Sequence, residues 1–183
     1  MTKPSLTLVL LIIAAFIAAC SPGNPKAEIE AQEAALQKIM SDQANSSPGA
    51  IKEGFNNLIA AYENYLSDDK NTLDADGYFK VAELYESVGQ YNKTIQMLET
   101  LRTKHADSER SADALFKIGF IYHNNLNDLT KAEDTYRKFI NKYPEHHFRD
   151  DAEMEIANLG VSPEEIIRRA LEKNNTDSSA VPQ

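Results

Sequence analysis

From Lys26 onward, apolar side chains recur at three- and four-residue spacings, and no stretch alternates apolar with polar positions for long. That period matches one face of an α-helix and argues against half-buried strands. Gly and Pro are sparse and fall between the periodic segments, where they act as breakers. The pattern predicts a first helix from about Pro25 to Gln43, with Ile29, Leu36, Ile39 and Met40 along one side, ended by Asn45-Ser46-Ser47-Pro48-Gly49. A second runs to about Leu66, before the turn Ser67-Asp68-Asp69-Lys70-Asn71. Further helices are predicted near 74–88, 91–104, 108–124, 130–143, 148–159 and 163–173. The last has the clearest start: Gly160 closes the previous helix, Ser162 caps, Pro163 takes the first helical position and Glu165 completes a capping-box pattern. The polar tail 174–183 is expected to fray.

Short connections between these helices predict antiparallel hairpins, and the hairpins repeat. Tyr62-x-x-Tyr65-Leu66, Leu98-x-x-Leu101 and Tyr136-x-x-Phe139-Ile140 share one pattern. Upstream of the second and third lie Tyr78, Val81, Ala82 and Tyr85, then Leu115, Ile118, Gly119 and Tyr122. Small residues at Ala82, Gly119 and Ala132 let helices approach, while Tyr78, Tyr85, Tyr122 and Tyr136 fill the space between neighbours.

This order resembles helix A of a tetratricopeptide repeat, with its W-x-x-L-G-x-x-Y core. Gly89 and Tyr91 fall at that family's inter-helix turn, Ala132 and Tyr136 at its helix B packing positions, and Pro144 at its closing proline. Helix A lacks Trp, Thr94 replaces a small Ala, Ala106 stands where a proline is usual, and Asn124 to Leu129 carries an extra residue. The resemblance implies an all-α fold, an α-solenoid of antiparallel hairpins over residues 27–173. Its best repeats are 75–108 and 113–146, within a superhelix of about three to four hairpins. The run Lys142-Tyr143-Pro144-Glu145, followed by Asp150-Asp151-Ala152, further resembles repeats of envelope lipoproteins of the outer-membrane assembly (BamD-like) and Tol-Pal-associated (YbgF-like) groups.

The N-terminus changes the picture. Leu6 to Ala19 is apolar except for Thr7, with Lys3 ahead of it. It is shorter than the roughly 20 residues that span a bilayer as a helix, so 1–19 reads as a cleaved signal peptide. Ile17-Ala18-Ala19 precedes Cys20, the sole cysteine, and this string resembles a lipobox, which implies lipidation of Cys20. Residues 20–26 then form a linker from the anchor to the folded part. In lipoproteins of Gram-negative type a residue other than Asp after that cysteine means the outer membrane, so with Ser21 the resemblance implies that membrane; a periplasm-facing placement is the expectation. A plain secreted chain with a stray Cys20 thiol is the alternative.

The formal charge of -9 opposes nucleic-acid binding. Nucleophile elbows, H-E-x-x-H, phosphate-cradling glycine loops and C-x-x-C pairs are missing from the sequence, so no catalytic residue, cofactor or metal is assigned. His146 and His147 precede Asp150 and Asp151 at one-turn spacing and would form chelating pairs on a helix. Pro144 and Glu145 put both histidines in a loop instead, ahead of an acidic first turn that suits the helix dipole. His105, near a helix C-terminus, suits that dipole as a cation.

In tetratricopeptide arrays the helix A positions that alternate with the packing positions line the concave surface. Carried over, these are Asp76, Phe79, Glu83 and Glu86 in one repeat and Asp113, Phe116, Phe120 and His123 in the next. One reading is a groove for a protein or peptide partner with apolar anchors and some positive charge. The other buries the phenylalanines between hairpins and leaves the acids as solvated surface. The chain is thus expected to be a lipid-anchored, non-enzymatic interaction module of the bacterial envelope. A self-assembling structural lipoprotein, and a solute-binding or enzymatic one, are the alternatives.

Overall fold

The computed structural model describes residues 24–42 and 46–178. The expected signal segment and Cys20 lie outside the described residues, as does the end of the tail. Eight helices and no strand occur among the described residues: α1 (Pro25–Ser41), α2 (Pro48–Leu66), α3 (Ala75–Ser87), α4 (Tyr91–Lys104), α5 (Glu109–Asn124), α6 (Leu129–Lys142), α7 (Arg149–Asn158) and α8 (Pro163–Ser178). The protein is therefore all-α and built of hairpins, as the periodicity predicts. None of these helices is long and apolar enough to cross a membrane.

The helices start where side chains can satisfy the free N–H groups of a first turn. Asn24, Ser47, Asp74, Ser108 and Asp128 each accept such a bond, from Lys26, Ala50, Gly77, Arg110 and Lys131 respectively. Helix α1 begins at Pro25, as the pattern predicts, because Asn24 caps it and Pro25 suits the first turn. Two helix ends differ from expectation. Helix α1 ends at Ser41, before Gln43, with the Asp42 N–H closing on Ile39 and Lys38 carbonyls. Helix α8 continues to Ser178, past 173. The Ser162 box is half formed: Ser162 Oγ accepts from the Glu165 N–H at 3.3 Å. The Glu165 carboxylate is held instead by Arg168 and Arg169 at 2.6 and 2.8 Å. Those two arginines, Arg168 first, push its pKa down to about 2.

The chain divides into two compact units at Thr72/Leu73. In the first, α1 packs on α2, and Ile29, Leu36, Leu58, Ile59, Tyr62 and Tyr65 are buried. Gly54 makes the pairing close, since a Cβ there would stand 2.9 Å from Leu36 Cδ1.

In the second unit α3 pairs with α4, α5 with α6, α4 packs on α5 and α6 on α7. Ala112, Leu115, Ala132, Tyr136, Phe139 and Ala152 form one core cluster that joins α5, α6 and α7. The small residues work as the pattern implies: Ala82 and Ala132 are 0% exposed, and Gly119 lies directly against the Tyr136 ring. The family departures have local explanations. Thr94, 0% exposed, satisfies its hydroxyl on the Gln90 carbonyl at 3.2 Å. The longer α5–α6 turn is absorbed by Asn127 in the left-handed region (φ 51°), where the α3–α4 turn uses Gly89 (φ 79°); Asn and Gly tolerate that region best.

Candidate functional site

A groove of about 520 Å³ opens within the second unit, between α3, α5 and the loop that follows α6. Phe79 and Glu83 come from α3, Asp113, Phe116 and Phe120 from α5. These five belong to the eight positions expected on the concave face. Helical spacing explains the alignment: 113, 116, 117 and 120 lie within two turns on one side of α5, as 79 and 83 do on α3. Arg110, Lys117, His147 and Phe148 complete the lining and were not anticipated.

The three phenylalanines differ. Phe116 stacks on Phe148 (4.7 Å between ring centres, 21°) and meets Tyr136 and Phe139 at 5.5 and 5.6 Å, so it joins the groove floor to the core. Phe79 is covered by cations, with Arg110 at 5.0 Å and Lys117 at 5.8 Å from its ring centre. Phe120 is the open one, 39% exposed.

The acids are not a free rim of carboxylates. Arg110 donates to Asp76 at 2.6 Å and to Asp113 at 3.3 Å, and the Asp76 hydrogen bond raises the arginine's pKa above its already high value. Lys117 pairs with Glu86 at 2.7 Å. Glu83 lines the groove without an ion-pair partner among the described residues. Four carboxylates thus face two cations, which leaves the wall negative while locking α3 to α5 across the seam. Asp76 lies outside the groove proper, beside a second, more polar hollow with Ser108 and Glu109.

His123 departs from its expected place. Its Nδ1 meets Glu155 Oε2 at 2.9 Å, so it ties α5 to α7 and does not line the groove; the sequence pattern carried no sign of the partner on α7. His105 caps more than a dipole: its Nε2 lies 2.9 Å from the Leu73 carbonyl, which fastens the end of α4 to the start of the unit. His146 and His147 sit in the loop before α7, as Pro144 dictates, but face Asp113 and not Asp150 or Asp151. His146 Nε2 lies 3.4 Å from Asp113 Oδ1.

Stacked helical hairpins with small residues at the crossings and a groove lined from successive first helices define a repeat scaffold of the solenoid class. Residues 113–146 match a family model described as tetratricopeptide repeat, which covers α5, α6 and the loop into His146. Together with the all-helical hairpin fold, that match supports a tetratricopeptide-repeat protein. No curated protein matches the chain.

Proposed function

We propose that this protein is a lipid-anchored docking module of the bacterial cell envelope, which holds a protein or peptide partner in the groove between α3 and α5. Tetratricopeptide repeats are interaction modules, and the match at 113–146 supports that class. The observation that carries the site is the groove itself: an exposed Phe120 beside a Glu83 with no ion-pair partner among the described residues, on a floor made by Phe116 and Phe148. An apolar anchor inside a polar rim is the arrangement that concentrates binding energy. The partner segment fitted to it carries one or two large apolar side chains and a net positive charge.

Two substitutions separate the terms. Phe120→Ala is expected to cost about 2 kcal/mol of binding or more, mostly as faster dissociation. Glu83→Lys is expected to slow association and to weaken its salt dependence, since exposed charges steer over a Debye length of about 8 Å. Capture of partner by both folded variants at wild-type strength would place binding elsewhere.

The anchor reading is supported by Ile17-Ala18-Ala19-Cys20 behind an apolar segment. Durable attachment through more than one acyl chain follows from about 0.8 kcal/mol per buried methylene. Cys20→Ala is expected to move the protein from the detergent-requiring membrane fraction to the soluble fraction. Retention in the membrane, with no acyl mass on the wild-type protein, would remove both the anchor and the outer-membrane, periplasm-facing placement that rests on it.

A further inference from the structure

We propose that Asp113, His146 and His147 form a three-ligand site for a divalent transition-metal ion of the zinc type, at the end of the groove. One donor atom from each of the three side chains lies within 4.8 Å of the other two. Ligands at about 2.0–2.1 Å from a tetrahedral zinc stand roughly 3.4 Å apart. The Asp113 Oδ1 to His146 Nε2 separation is already 3.4 Å. The remaining closure falls on His147, whose side chain is exposed.

The juxtaposition is held in place. Asp113 belongs to the first turns of α5 and the histidines to the loop after α6, two places brought together by the core. His146 packs edge-on against Phe139 at 5.4 Å, Phe148 stacks on Phe116, and the Tyr143 hydroxyl lies 3.2 Å from Ser111 Oγ. The two imidazoles stack at 4.2 Å and 29°, so both rings stand at the same edge of the groove.

Charge and lone pairs fit a cation. Arg110 is shared by Asp76 and Asp113, so one guanidinium faces two carboxylates and a negative charge remains. It occupies Asp113 Oδ2 and leaves Oδ1 toward His146. In the metal-free molecule the Phe148 N–H donates to His146 Nδ1 at 3.3 Å, so the ring proton sits on Nε2. A bound ion takes the Nε2 lone pair and the proton moves to Nδ1, at the expense of a contact that is already long. Two imidazoles and a carboxylate suit Zn²⁺, Cu²⁺ or Ni²⁺ and are poor ligands for Mg²⁺ or Ca²⁺. Three protein ligands leave a position open for water, on the side where Asp113 and His147 line the groove. The site does not depend on the docking reading, because metal binding is measured without a partner.

The test is titration of the full-length chain, free of any polyhistidine tag and held in detergent, with Zn²⁺ by calorimetry and with Co²⁺ as the optical probe. The expected result is one ion per chain, no heat with Mg²⁺, and affinity about tenfold lower or worse in His147→Asn and Asp113→Asn. His147 is exposed, so its replacement leaves the core intact; His123→Gln should bind as wild type. No saturable Zn²⁺ binding, or binding that survives both His147→Asn and Asp113→Asn unchanged, would overturn the site.

Discussion

Gly119→Leu is expected to destabilise the protein by about 3 kcal/mol or more, at the upper end of what overpacking a tight core costs. A bare Cβ at 119 would stand 2.8 Å from Tyr136 Cε1 and 2.9 Å from Cδ1, closer than such atoms pack. The obstacle is a ring that cannot yield: Tyr136 is 0% exposed and meets Phe116 on its way out of the cluster. Leucine adds three carbons beyond that Cβ, so α5 and α6 must separate and expose the Ala132 and Phe139 layer. Gly49→Leu is the matched control, because a Cβ there would meet only Ser47 Oγ at 3.8 Å. In a helix it should be neutral or stabilising by up to about 1 kcal/mol. For a chain of this size about 3 kcal/mol lowers the melting temperature by roughly 6–12 °C, so circular dichroism melts separate the two. Equal shifts would mean that α5 and α6 do not cross at Gly119.

The second large effect comes from one substitution made at two phenylalanines of the same repeat. Phe139→Ala should cost about 3–5 kcal/mol, and Phe120→Ala less than about 1 kcal/mol. Phe139 is 0% exposed and touches the rings of Phe116, Tyr143 and His146; its removal opens a cavity and loosens the loop that carries the histidines. Phe120 is 39% exposed, so its truncation forfeits little burial. Denaturant titration of both variants gives the comparison directly. A large loss in Phe120→Ala would show that this ring supports the fold, and would disqualify it as a partner-facing anchor.

The parts legible in the sequence are those that depend on near neighbours along the chain. Helix limits follow from the helical period itself, from breakers at Pro48 and Pro144, and from the capping signal at Ser162. The close crossing at Gly119 was readable too, because a small residue aligned with Ala82 one repeat earlier. What could not be read was pairing across hairpins. Arg110 and Asp76 stand 34 residues apart, and His123 and Glu155 stand 32 apart. A usable signal existed for the first seam: Asp76 and Glu86 on α3, Arg110 and Lys117 on α5, complementary charges on consecutive helices. For His146 and His147, Pro144 and Glu145 signal a loop, and the nearest acids along the chain are Asp150 and Asp151. The loop turns their rings back to Asp113, a direction that one-turn spacing cannot report. The phenylalanines illustrate the same limit, since three residues at equivalent periodic positions became a floor, a cation platform and an open ring.

The proposed docking face lies between α3 and α5. Site-specific photocrosslinking in intact cells tests it most directly, with the reactive side chain placed at Glu83, at Phe120, or at the exposed Lys138 on α6 as the control. The predicted result is a discrete adduct of the same mass from positions 83 and 120 and none from 138. Adducts formed from position 138 alone, with 83 and 120 silent, would contradict the account.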